Sequence, residues 1–79
     1  MKTTRKQLIN FAIGLVKEVS KNNSNNSNVT VEYSNSGVNV WFFYKEKECE
    51  RLHLFEHYCL KENKAKFRKA ILKIRGIML

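Results

Sequence analysis

Apolar residues recur at helical spacing near both ends of the chain and alternate with polar ones through its middle. Leu8, Ala12, Leu15 and Val19 form one stripe, which Ile9, Ile13 and Val16 widen, while Asn10, Gly14, Lys17 and Lys21 recur on the other side. This is the pattern of an amphipathic helix with one buried face. Thr4 stands three residues before Gln7, the spacing of a capping box, so the helix is predicted to begin there. A glycine inside an exposed helix costs about 1 kcal/mol relative to alanine, and the sequence offers no reason for Gly14.

Asn and Ser fill positions 22–28, and their side chains compete with the backbone for hydrogen bonds, which predicts a flexible loop over that range. Strict alternation follows. Val29, Val31 and Tyr33 lie on one side of a strand and Thr30, Glu32 and Ser34 on the other. Asn35-Ser36-Gly37 supplies a turn with a glycine available for positive φ. Val38, Val40, Phe42 and Tyr44 then continue one face, and Asn39, Trp41, Phe43 and Lys45 the other, as a central strand rich in apolar groups would.

Residues 49–60 fit two patterns. As a strand they place Leu52, Leu54 and Tyr58 on one face and Arg51, His53, Phe55 and His57 on the other; as a helix they align Leu52, Phe55 and Cys59. The strand is preferred for its aromatics and for the hairpin that Lys45-Glu46-Lys47-Glu48 would close. From about Asn63 to Gly76 the helical period returns, with Phe67, Ile71, Ile74 and Met78 on one stripe and Ala70 and Ile77 beside it. Lys66, Lys69 and Lys73 run down the other side, and Gly76 is a stop signal. The expected architecture is α+β: helix, three-stranded antiparallel sheet, helix, with both helices on one sheet face.

Seventy-nine residues form a single domain, 1–79, near the lower size limit, where folding buries about 60% of the unfolded surface. The net charge of +8 attracts polyanions, acidic proteins and anionic lipid alike. Both ends are basic and the middle is mildly acidic: residues 61–79 hold seven basic residues and one Glu, residues 22–60 three basic and five Glu. Asp is absent altogether. Cys49 and Cys59 could form one bridge at most. The basic, apolar start imitates an export signal, but Asn10 interrupts it and no cleavage site follows, so reduced thiols and a cytoplasmic location are expected.

Three clusters could carry chemistry. The outer sheet face gathers Trp41, Phe43 and Phe55 with Arg51 and Lys45, a composition that suits a protein-binding hot spot and equally a stack for single-stranded bases. Cover by a second copy of the chain, as a homodimer, or by another element of the same chain accounts for these aromatics equally well. The basic helices offer Arg5, Lys6, Lys64, Lys66, Arg68, Lys69, Lys73 and Arg75 to phosphates, or to solvent as any soluble helix does. Cys49, His53, His57 and Cys59 are zinc-capable but lack the close Cys-x-x-Cys pair of structural sites, so no metal is expected. Without Asp, a Gly-rich loop or a nucleophile motif, neither an enzyme nor a cofactor is expected.

The order helix, three strands, basic helix resembles the double-stranded-RNA-binding domain, whose Lys-Lys-x-Ala-Lys motif would fall on Glu62-Asn63-Lys64-Ala65-Lys66. Ala65 and Lys66 match; the paired lysines and the Gly-containing lead-in are absent, and the RNA function is not carried over. In size and in its Lys, Asn and Ile-rich composition without Pro, the chain also resembles short host-takeover proteins of phages that infect low-GC bacteria. That resemblance implies a non-catalytic factor that inhibits or redirects one host protein. Nucleic-acid binding through the basic helices is the alternative. Association with an anionic membrane surface comes third, because Phe67 to Leu79 resembles an interfacial helix when undocked.

Overall fold

Thr4 caps the first helix through its spacing with Gln7: its N–H donates to Gln7 Oε1 at 2.8 Å, and Gln7 N–H donates back to Thr4 Oγ1 at 3.2 Å. In the computed structural model, which describes residues 1–22, 27–44 and 48–78, the order is α1 (Arg5–Lys21), β1 (Ser27–Ser34), β2 (Gly37–Tyr44), β3 (Glu50–Phe55) and α2 (Leu60–Met78). The strands lie in the order β1-β2-β3, each antiparallel to its neighbour. The predicted α+β architecture is therefore observed. So is the strand in the ambiguous stretch, although it covers only Glu50–Phe55 of residues 49–60.

Boundaries differ from the sequence reading in three places. The loop assigned to 22–28 is bounded by Asn22, which caps α1 by donating from Nδ2 to Glu18 O at 2.7 Å, and by β1 from Ser27; residues 23–26 lie outside the described residues. α2 begins at Leu60 rather than Asn63. It also runs through Gly76, where a side chain would meet nothing, so a glycine there ends nothing. Gly37, as the first residue of β2, closes the predicted turn and carries the expected positive φ, 138°.

One core holds the layers together. Register places Val29 beside Phe42, Val31 beside Val40 and Val38 beside Leu54 on the inner sheet face, and Leu8 and Leu15 of α1 and Ala70 and Ile74 of α2 close over them. At about 25 cal/mol per Å² of apolar area, each fully buried Val, Leu, Ile or Phe among them stabilises the fold by about 1.5–3 kcal/mol. Both helices thus cover the same face.

The two helices also pack on each other, which corrects the reading of α1. Phe11 meets Phe67 with ring centroids 5.1 Å apart, and a Cβ on Gly14 would stand 3.1 Å from the Phe67 ring. Gly14 is therefore a close-approach residue on the α2 side, not a member of the solvent face. Because α1 divides its buried surface between the sheet and α2, Ile9, Ile13 and Val16 fall on the opposite flank and are 41–50% exposed.

A feature that the sequence did not announce ties the chain's start to its centre. Residues 1–3 run antiparallel to the β3–α2 connection: Thr3 N–H donates to Tyr58 O (2.7 Å), His57 N–H to Thr3 O (2.9 Å) and Leu60 N–H to Met1 O (2.9 Å). Fully buried Asn63 donates from Nδ2 to both Thr3 Oγ1 and Phe55 O at 2.7 Å. These two bonds satisfy its amide nitrogen, while its Oδ1 is buried without a partner among the described residues.

Candidate functional site: the outer face of the sheet

Alternation along β2 and β3 sends every second side chain away from the helices. Thr30, Trp41 and Arg51 form one cross-strand row, and Glu32, Asn39 and His53 the next. Both helices lie on the other face, and this one keeps much of its aromatic surface exposed. Trp41 is half-buried, and Phe43 and Phe55 are each 42% exposed. Trp41 and Phe43 stack at 6.3 Å with 16° between planes, and the Arg51 guanidinium lies 5.5 Å from the Trp41 ring centre. His53 and Phe55 stack at 4.0 Å and 10°, and Tyr58 meets Phe55 edge-on at 5.9 Å.

Lys66 completes the cluster from α2. Its Nζ donates to His53 O at 3.0 Å and sits 5.2 Å from the Phe55 ring and 5.3 Å from Tyr58. The centre of the face holds an unusual group: Asn39, 8% exposed, donates to Glu32 Oε1 at 3.1 Å, while its own Oδ1 is buried without a partner. Burying an unbonded carbonyl costs about 1–3 kcal/mol.

The structure therefore places Trp41, Phe43, Phe55 and Arg51 on one face, Trp41, Phe43 and Arg51 in contact at one end and Phe55 with His53 and Tyr58 at the other, while Lys45 lies outside the described residues. Tyr58 and Lys66 join the cluster although sequence alternation assigned them elsewhere. The cause is His57, the one non-glycine residue of positive φ (65°) among those described. It turns the chain out of β3 after Phe55, so Tyr58 folds back beside Phe55 and His57 itself leaves the sheet. Glu62 hydrogen-bonds the Tyr58 hydroxyl and raises its pKa above the ordinary phenol value.

The basic residues of the helices divide into two sets. Arg5 pairs with Glu56 (2.7 Å), Lys73 with Glu50 (2.7 Å) and Arg75 with Glu18 (3.0 Å), each pair joining different elements. The hydrogen bonds from Arg5 and Arg75 hold the carboxyls of Glu56 and Glu18 below their usual range, and the bond to Glu50 raises the Lys73 ammonium. With Lys66 turned to the sheet edge, four of the eight predicted phosphate contacts have structural partners. Lys6, Lys64, Arg68 and Lys69 are exposed and make no ion pair among the described residues. Lys64 and Arg68 border a shallow groove of about 350 Å³ between the helices, floored by Phe11, Phe67 and Ile71.

Cys49 and Cys59 are separate, exposed thiols. No group of three or more His, Cys, Asp or Glu is placed to hold a metal ion among the described residues, and among them no helix is long and apolar enough to cross a membrane. No protein-family model, characterised protein or solved structure matches the chain.

Proposed function

We propose that this chain is a non-catalytic protein-binding domain that seats its outer sheet face, centred on Trp41 and Arg51, on one partner protein. The carrying observation is how the rings are arranged. A base-stacking platform needs open ring faces, but here Arg51 lies over Trp41, His53 and Phe55 cover each other, and Lys66 lies over Phe55. Aromatic rings interleaved with cationic groups in this way are a composition enriched where proteins bind proteins. The net charge of +8 calls for an acidic surface around an apolar centre on the partner. By size and composition the chain is similar to phage host-takeover proteins, so the partner is a cytoplasmic host protein that the bound domain inhibits or redirects.

A second reading, nucleic-acid binding, is favoured by Lys6, Lys64, Arg68 and Lys69 on the helical side, which are exposed and form no ion pair among the described residues. The membrane-surface reading has less support, because Ala70 and Ile74 of α2 are fully buried against the sheet. Affinity capture from host lysate, with and without nuclease, separates the first two. The proposal expects one acidic protein retained after nuclease treatment and retained less by Trp41→Ala. Loss of every captured protein after nuclease treatment supports the nucleic-acid reading instead.

A further inference from the structure

The two edges of the sheet are treated differently. On β3, His53 O and Phe55 O point outward and are occupied by Lys66 Nζ and Asn63 Nδ2, and residues 1–3 cover the connection beyond. Since the carbonyls of His53 and Phe55 face out, Leu52 and Leu54 bond inward to Val40 and Val38. In an antiparallel ladder such pairs alternate, so Val38 and Val40 do not bond β1. Val29, Val31 and Tyr33 therefore turn their own N–H and C=O groups to the far edge. The two-residue turn closing on Ser34 and Gly37 gives the same alternation. Along that edge, β1 carries no Lys and no Pro and only one charge, Glu32, and Arg5, which reaches its end, bonds the Tyr33 hydroxyl and the Asn35 carbonyl rather than the backbone of Val29, Val31 or Tyr33.

Next to this edge lies the exposed flank of α1, with Ile9, Ile13 and Val16, and Tyr33 itself is 43% exposed. We infer that β1 pairs antiparallel with β1 of a second copy, Val31 opposite Val31, joining the two sheets into one of six strands. Three features select a second copy as the occupant. In this register the outward-bonding residues meet one another, Val29 against Tyr33 on both sides of the axis, so all three pairs can be fully hydrogen-bonded. Apolar inner-face residues meet apolar ones, and Thr30 meets Glu32 on the outer face. Finally, α1 packs over both β1 and β2. With strands about 4.8 Å apart, two such helices related by a two-fold axis stand about 10 Å apart, the spacing at which helices pack, with Ile9, Ile13 and Val16 between them.

The aromatic faces of the two copies then lie side by side on one continuous surface, but the inference does not depend on what that surface binds. Two chains of +8 repel, so the dimer tightens as salt rises, whereas polyanion binding weakens. The test is sedimentation of the full chain in reductant over a wide concentration range, from about 0.05 to about 0.5 M salt. The inference expects a dimer that strengthens with salt, a dissociation constant at least about tenfold higher for Ile13→Glu, whose side chain is already exposed, and slowed amide exchange at Val29, Val31 and Tyr33 in the wild-type dimer. A monomer under all conditions overturns it. So does a dimer that survives Ile13→Glu, or one in which those three amides exchange as fast as loop amides.

Discussion

Trp41→Ala is expected to weaken capture of the partner by about 2–4 kcal/mol, roughly thirty- to a thousandfold in affinity. Trp41 sits on the outer face in the row next to Asn39, stacked on Phe43 and covered by Arg51. Truncating it removes the largest ring of the patch and leaves the Arg51 charge without its aromatic support. Because Trp41 is on the face away from the helices and is not part of the buried core, the variant should keep the circular dichroism spectrum of the parent. Lys64→Glu and Arg68→Glu lie on the opposite side of the molecule and should each cost less than about tenfold. Titration calorimetry with the captured partner makes the comparison. An equal or larger loss from the lysine and arginine changes would move the binding surface to the helices.

The second large effect concerns folding. Gly37→Ala is expected to destabilise the domain by about 3 kcal/mol or more. Gly37 holds φ at 138°, where a Cβ is strained, and that Cβ would collide with the carbonyl of Leu54 on the neighbouring strand. Backbone cannot swing aside as a long side chain can, so β2 and β3 would have to part beside the core residues Val38 and Leu54. A domain of this size has about 4–12 kcal/mol in all, so the variant should lose a large part of its urea midpoint. A midpoint shift worth less than about 0.5 kcal/mol would show that the hairpin tolerates a different path there.

Much of the architecture was legible in the sequence because its signals are local. Thr4 and Gln7 are three residues apart, the valines of β1 and β2 alternate without interruption, and the period of α2 is clear from Phe67 to Ile74. Trp41 and Phe43 of the outer face followed from alternation, and Arg51 and Phe55 from preferring a strand for residues 49–60, which alternation by itself did not decide. What sequence could not supply were relations between distant elements. The reason for Gly14 is the Phe67 ring, and the exposure of Ile9, Ile13 and Val16 follows from α2 lying on the other flank of α1. Gly37 was recognised for its positive φ at the turn, but its close approach to the Leu54 carbonyl of β3 was not. The left-handed His57 redirects Tyr58 onto Phe55, and no pattern of apolar residues announces a single reversed φ. Charge was the least legible property. Arg5, Lys66, Lys73 and Arg75 looked available in sequence and are engaged by Glu56, the His53 carbonyl, Glu50 and Glu18.

Trp41 is the only tryptophan in the chain, so its fluorescence reports on the outer face alone. The decisive measurement is its emission and its quenching by iodide, first in the isolated chain and then in the complex with the captured partner. The account predicts a ring accessible to the anion in the isolated chain, with a blue shift and protection from quenching once the partner is bound. An emission and quenching profile unchanged by saturating partner would place the interface elsewhere and contradict the account.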